Sequence, residues 1–232
     1  MGSIKHIIGV IGISVLLLGG IGWWVEQNDK TPEILLQENA ELQGPFSAEE
    51  LKTYNPEITN TMNPTAVMKT NRGIIEIELF EDVMPITVGN FVKLSEEGFY
   101  NGIKFHRVID GFMIQAGDPN TKGDDVVTYG TGGPGYTIQD EFIKGDKLTN
   151  VRGTIAMANT GQPNSGGSQF FINTVDNTGL DFDKEPLTSK HPVFGRVTKG
   201  LDVVDVISAT EVGPRDLPVE PVIIESITIV RP

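Results

Sequence analysis

Cysteine is absent from this 232-residue chain, and histidine occurs only three times, as His6, His106 and His191. The lack of thiols excludes cysteine nucleophiles, disulfides and thiolate metal sites. Three histidines, one of them in the N-terminal segment, argue against a histidine metal site. We therefore expect neither a metal nor a cofactor.

Runs of basic residues are also missing. The chain has 18 Lys and Arg against 31 Asp and Glu, which gives a net charge of −13. Binding to phosphate groups needs a basic face. We therefore expect no nucleic-acid partner and no adhesion of the folded domain to anionic lipid. The acidic pair Asp124-Asp125 leaves open whether its loop binds a cation.

Two common catalytic motifs are absent as well. No Gly-x-Ser-x-Gly elbow occurs, which disfavours a hydrolase built from Ser168, His191 and Asp181. The Gly-rich loop at residues 130–135 superficially resembles a phosphate loop. No Gly-Lys-Ser/Thr follows it, and Pro134 removes an amide donor, so it does not fit that motif.

The longest uncharged run extends from Ile7 to Val25. As a helix rising about 1.5 Å per residue it spans roughly 28 Å, close to the ~30 Å hydrocarbon core of a bilayer. Lys5 precedes the run, and Trp23-Trp24 lie at its far end, as at a membrane interface. We predict that residues 1–25 form a single-pass signal anchor with the remaining chain outside the cytoplasm. Gly20-Ile21-Gly22 also fits a signal-peptidase site, so secretion after cleavage stays open.

Residues 26–63 form an acidic, polar stretch that we interpret as a linker. It contains two helix-start signals, Thr31-Pro32-Glu33 and the capping box from Ser47 to Glu50. One interpretation is a tether with two short helices. The other is a segment whose apolar residues, Ile34 to Leu36 and Leu42, dock on the following domain or on a partner.

Residues 64–232 show short apolar alternations separated by turn residues. Two such runs flank Asn71-Arg72 and predict a hairpin. Helices are expected between Pro85 and Gly98 and from Leu201 to Ile207. Many short strands with two helices predict a mainly β fold, a closed antiparallel barrel capped by helices. Strands are expected in residues 66–70, 73–80, 151–158, 168–174 and 222–230.

The most distinctive stretch, residues 105–118, reads FHRVIDGFMIQAGD. Asp110-Gly111 is a strong hairpin signal, so two short strands are expected to present Arg107 and Gln115 among apolar neighbours. An arginine on an apolar surface is costly to desolvate unless it has a partner or a function. From this stretch alone, a structural ion pair and a functional arginine remain equally open.

Two further stretches decide between them: residues 153–173, GTIAMANTGQPNSGGSQFFIN, and residues 190–197, KHPVFGRV. In this order the three stretches resemble the cyclophilin family of peptidyl-prolyl cis-trans isomerases, and the resemblance covers about residues 65–232. It implies an eight-stranded barrel with a helix over each end. It also implies an enzyme that accelerates rotation about X-Pro bonds.

That reaction needs neither a nucleophile nor a metal. The barrier of ~18–20 kcal/mol reflects the partial double bond between carbon and nitrogen. A hydrogen bond to the prolyl nitrogen stabilises its lone pair in the twisted state and so lowers the barrier. Arginine suits this task because it stays charged at any working pH. The resemblance implies that Arg107 is the donor.

The resemblance also implies roles for nine further residues. Gln115 is expected to hold substrate carbonyls or to orient Arg107, and Phe112 is expected to lie at the catalytic centre. Ala158 and Asn159 are expected to bind the substrate backbone as an added strand, with Gln169 beside them. The remaining expectation is a proline pocket and its rim, made by Phe112, Met113, Phe171, Leu180 and His191.

The expected partners are proline-containing unfolded or flexible polypeptides, together with the membrane through the N-terminal helix. We expect a monomer that assists the folding of exported proteins. Two non-enzymatic alternatives are a module that binds proline peptides without turnover and a scaffold whose linker recruits a partner. The presence of Arg107 together with Gln115 favours the enzyme.

The chain departs from the family pattern in two places. Many members carry a tryptophan before the Leu-Asp of the pocket, whereas here Gly179 precedes Leu180-Asp181. The second departure is a longer, proline-containing loop at residues 182–189, which we expect to reshape the rim near His191.

The missing tryptophan leads to a prediction about cyclosporin, because that side chain is a main contact for the drug in members that have it. We predict weak cyclosporin binding with isomerase activity retained. Isothermal titration calorimetry measures the dissociation constant, and a nanomolar value contradicts the prediction.

Overall fold

The computed structural model describes residues 63–232. The predicted membrane helix at residues 1–25 and the predicted linker, apart from Asn63, lie outside the described residues. Within the described part, no helix is both long and apolar enough to cross a bilayer.

Eight strands and two α-helices make up this part, joined by turns and short 3-10 segments. The strands are β1 Thr65–Thr70, β2 Gly73–Leu79, β3 Arg107–Ile109, β4 Met113–Ala116, β5 Thr154–Met157, β6 Phe170–Asn173, β7 Val193–Lys199 and β8 Ile224–Val230. The helices are α1 Pro85–Glu96 and α2 Leu201–Ser208. The strands form one sheet in the order β3-β4-β6-β5-β7-β2-β1-β8, with every neighbouring pair antiparallel.

The sheet curls so that its two edges meet. The edges join through an isolated bridge between Lys104 and Ile223, just before β3 and β8, rather than through a ladder. Phe105 N donates to the carbonyl of Val222 at 2.9 Å, and Ile224 N donates to the carbonyl of Ile103 at 2.8 Å. The predicted mainly β architecture with two helices is therefore confirmed, and the barrel closes through a few backbone bonds.

All five strands predicted outside the Arg107 hairpin are present, and all but the first are shorter than expected. The strand expected at residues 151–158 covers only Thr154–Met157. Periodicity does not predict β7, because its first three residues are all buried and show no alternation. A segment covered on both faces lacks the period-2 signal that a half-exposed strand shows.

The barrel interior holds a cluster of aromatic rings around Phe91 of α1. Its ring centroid lies 5.2 Å from that of Tyr100, 5.5 Å from that of Phe170 and 5.3 Å from that of Phe194. Each aromatic pair of this kind contributes about 0.5–1.5 kcal/mol beyond its buried area. The cluster ties α1 to strands β6 and β7.

Helix α1 begins at Pro85 as predicted, yet its cap comes from a distant part of the chain. Met84 at the N-cap position offers no side-chain acceptor. The buried carboxylate of Glu141 instead accepts hydrogen bonds from Ile86 N at 3.0 Å and from Thr87 N at 2.7 Å. These bonds satisfy amides that the first turn of a helix leaves free.

Candidate active site

Strands β3, β4 and β6 carry core residues on one face and predicted site residues on the other. Val108, Ile114 and Ile172 are cross-strand partners and are almost fully buried. Successive side chains of a strand point to opposite faces. The alternate residues therefore form a row on the outer face of the barrel: Arg107, Gln115 and Phe171, which are also cross-strand partners.

Apolar side chains surround this row. Met113 and Phe171 form the floor, with only 2% and 4% of their surfaces exposed. The His191 ring meets Phe171 edge-on, with centroids 5.4 Å apart. Leu180 is held beside it, because His191 N donates to the Leu180 carbonyl at 3.0 Å. Phe112 is half-buried and packs against the same hydrophobic cluster.

Two glutamine side chains have defined amide orientations. Gln169 Nε2 donates to the carbonyl oxygens of Gly130 at 3.1 Å and Gly132 at 2.8 Å. Because carbonyls only accept, the nitrogen of Gln169 must face this loop, and its Oε1 accepts from Gln115 Nε2 at 3.0 Å. The second N–H and the Oε1 of Gln115 have no hydrogen-bond partner in the described residues. No hydrogen bond joins Gln115 to Arg107 in residues 63–232.

The loop that contains Gly130 and Gly132 is held in place by Asp118, a buried carboxylate that sequence reasoning missed. Asp118 is fully buried and accepts hydrogen bonds from the amides of Asn120 at 2.8 Å, of Gly130 and of Gly132 at 3.2 Å. It therefore holds the carbonyl groups that in turn orient Gln169. The signal that could have found it is Asp-Pro at the end of a strand, a turn-initiating pair.

Arg107 is 43% exposed, and its Nε lies 3.5 Å from Oδ2 of Asp216. Asp216 belongs to the turn Pro214–Asp216, between α2 and β8. Sequence reasoning did not connect these residues, because the acidic partner lies in a distant loop without a recognisable motif.

The segment Ala158-Asn159 leaves the sheet directly after β5. Ala158 N donates to the Gln169 carbonyl at 3.0 Å, which places Gln169 beside this segment as predicted. The Asn159 side chain donates to the Lys190 carbonyl at 2.6 Å and accepts from Gly161 N at 2.9 Å. Within the described residues, the Ala158 carbonyl and both backbone groups of Asn159 make no hydrogen bond. They are open to an added strand.

The two departures from the family pattern meet in space. A Cβ atom at Gly179 would lie 3.5 Å from Pro186 Cδ, so the longer loop packs where a large side chain would begin. Thr188 and Ser189, at the end of this loop, line a cavity of about 310 Å³. Asn159 and His191 line the same cavity, together with Asp140, Phe142, Gly161, Gln162, Pro163, Thr188, Ser189 and Lys190. The end of the loop therefore lies beside His191, and its effect on the rim of the proline pocket stays a prediction.

The Asp124-Asp125 loop uses one carboxylate locally, since Asp125 accepts from Val127 N at 3.2 Å. Across residues 63–232, no cluster of three or more His, Asp and Glu side chains could hold a metal ion.

Comparison with known proteins agrees with this geometry. The family described as "Cyclophilin type peptidyl-prolyl cis-trans isomerase/CLD" matches residues 65–229. The chain is 46% identical over 167 residues to peptidyl-prolyl cis-trans isomerase B of Escherichia coli K12, covering 69% of this chain and 96% of that protein. The chain belongs to the cyclophilin family. It is a peptidyl-prolyl cis-trans isomerase.

Two further relatives are a longer protein and a protein of known structure. A longer protein of Streptococcus pyogenes, whose name joins a phosphatase to a peptidyl-prolyl cis-trans isomerase, is 38% identical over 207 residues. The match covers 78% of this chain and 42% of that longer relative. A Cryptosporidium parvum cyclophilin was solved in the presence of the dipeptide Ala-Pro. It is 29% identical, with a TM-score of 0.61 over 72% of this chain and 98% of that one.

Burial shifts the pKa of both histidines in residues 63–232. It lowers the pKa of His106, and neither ring nitrogen of His106 has a hydrogen-bond partner in the described part. Burial also lowers the pKa of His191, partly opposed by its bond to the Met157 carbonyl at 3.1 Å. Both rings are therefore neutral at neutral pH. Neutral His191 must donate from Nδ1, which leaves Nε2 as an acceptor.

These lowered values predict how stability depends on pH. A histidine with a lowered pKa in the folded state binds its proton more readily when unfolded, so stability is lost as pH falls below about 6.5. We predict a lower Tm at about pH 6 than at about pH 7.5, and a smaller difference in the variant His106→Gln/His191→Gln.

Differential scanning calorimetry of both proteins at both pH values measures the effect. Burial raises the pKa of Asp140 and of Glu141, but those carboxyls are common to both proteins, so their contribution cancels. An equal pH dependence in the two proteins contradicts the prediction.

Proposed function

We propose that this cyclophilin is a membrane-tethered, extracytoplasmic isomerase that assists the folding of exported proteins, with Arg107 as its hydrogen-bond donor. The observation that carries the catalytic part is the outer-face row of Arg107, Gln115 and Phe171 beside the open backbone of Ala158-Asn159. A guanidinium, an amide and an apolar floor thus lie next to a place for an extended chain.

The substrate backbone adds as a strand along Ala158-Asn159, using the backbone groups that are otherwise unpaired. Its proline ring packs on Met113 and Phe171, with Phe112, Leu180 and His191 as walls. The free N–H and Oε1 of Gln115 hydrogen-bond to substrate amides. The Cryptosporidium relative studied with Ala-Pro supports the choice of a proline-containing ligand.

Catalysis follows from which state the site favours. As the X-Pro bond twists, resonance is lost and the lone pair returns to the prolyl nitrogen, where Arg107 donates a hydrogen bond. In the planar peptide this lone pair is delocalised over the amide group. The hydrogen bond from Arg107 is therefore stronger in the twisted state, as catalysis requires. Phe112 and the pocket walls keep water from this nitrogen, which strengthens the bond from the guanidinium.

The test is cis–trans exchange of an X-Pro peptide, followed by NMR with the full chain. We predict that Arg107→Ala lowers kcat/KM by roughly a hundredfold, similar to the loss of one preorganised donor in other enzymes. Arg152→Ala is the matched control, because Arg152 is also a half-exposed arginine paired with a carboxylate, Asp205 at 2.8 Å. If folded Arg107→Ala keeps wild-type exchange, the donor is another group.

The membrane tether rests on the uncharged run from Ile7 to Val25 with its flanking Lys5 and Trp23-Trp24. We expect protein recovered from the membrane fraction to have the mass of the intact 25.2 kDa chain. Mass spectrometry checks this, and protease added from outside tests the orientation of the domain. A soluble product that begins near Ile21 to Trp23 indicates a cleaved signal peptide instead.

Sedimentation velocity on the same sample tests the expectation that the protein is a monomer.

A further inference from the structure

The side chain of Arg107 has one carboxylate partner in the described part of the chain. Oδ2 of Asp216 approaches Nε of Arg107 to 3.5 Å, and the two side chains are 43% and 46% exposed. An ion pair this exposed contributes little to stability. Its geometry is more informative than its energy, because the closest approach of the carboxylate is to the Nε end of the guanidinium.

The turn that carries Asp216 is strained. Arg215 and Asp216 have φ angles of 67° and 59°, so two successive residues with Cβ atoms occupy the left-handed region. Such a conformation persists only where the surroundings impose it. Here the Arg215 guanidinium is anchored on the carbonyls of Val126 at 2.7 Å and Tyr129 at 3.0 Å. Gly213 N also donates to the Leu217 carbonyl at 2.8 Å and closes the turn.

Arg107 needs such a support. It lies on a three-residue strand, and the hydrogen bond of its cross-strand partner Gln115 goes to Gln169 rather than to the guanidinium. A free arginine side chain samples many rotamers, and ordering it upon each substrate encounter costs entropy. A fixed carboxylate at Nε removes part of that cost before the substrate arrives.

We propose that Asp216 is a positioning residue for Arg107. The strained turn, anchored by Arg215, holds the Asp216 carboxylate at Nε and directs the two terminal nitrogens of the guanidinium toward the prolyl nitrogen. The inference rests on the proposed role of Arg107. Because the contact is an exposed ion pair, it also makes catalysis sensitive to salt, which screens such pairs.

The experiment uses the full chain and a peptide without net charge, so that salt does not alter substrate attraction. Asp216→Asn removes the charge and keeps a residue that tolerates the left-handed conformation. Asp216→Gly removes the side chain and tolerates positive φ equally well. NMR line-shape analysis of the peptide separates kcat from KM.

We expect Asp216→Gly to lower kcat by roughly 5- to 10-fold with KM nearly unchanged, a fraction of the ~100-fold cost of a misplaced catalytic group. Asp216→Asn should lie between this variant and the wild type. Raising the salt concentration should lower the kcat of the wild type toward that of Asp216→Gly, whereas the kcat of the variant should stay constant.

Asp205→Asn is the control for Asp216→Asn, because it neutralises a similarly exposed carboxylate that pairs with Arg152 rather than with Arg107. It should leave kcat and its salt response unchanged. If Arg107→Ala is impaired but Asp216→Gly has an unchanged or raised kcat, the positioning role is overturned while the proposed function stands. If Arg107→Ala itself is unimpaired, the donor is another group, and both the proposed role of Arg107 and the positioning role of Asp216 fail.

Discussion

The site depends on how the side chains of three short strands alternate between the two faces of the sheet. In β3, β4 and β6, one set of residues fills the barrel, and the alternate set presents Arg107, Gln115 and Phe171 outside. A shift of one residue would bury the guanidinium and expose Val108. Burying an unpaired charge costs far more than exposing one valine. The hydrophobic core therefore sets the register of the row that we propose to be the catalytic site.

Two buried acids, Asp118 and Glu141, hold parts of the framework in place. Asp118 and Glu141 both lie among backbone amides, one in the loop that orients Gln169 and one at the start of α1. A buried carboxylate is tolerated when N–H groups satisfy its oxygens. These two residues thus convert loops that lack regular structure into fixed scaffolds, and one of those scaffolds holds the amides of the site.

The chemistry that results is positional. The proposed site contains a guanidinium, an amide pair and an apolar floor, and the reaction that we assign to it makes and breaks no covalent bond to the enzyme. Gly179 lies against the loop at residues 182–189, where a Cβ atom would meet Pro186 Cδ at 3.5 Å. The two places where the sequence departs from the family pattern are therefore neighbours in the structure. Together with the adjoining cavity, they give the pocket a boundary of its own.

The sequence by itself determined the hairpins β1–β2 and β3–β4, helix α1 and the family, because alternation, turn residues and motifs are properties of neighbouring residues. It also placed Arg107 and Gln115 on facing strands. Only the tertiary structure brought Asp216 to Arg107, Asp118 to the loop that orients Gln169, and Glu141 to the start of α1. It also revealed β7, whose first three residues are all buried and so show no alternation. Contacts between distant loops depend on the path of the whole chain, and no local pattern specifies that path.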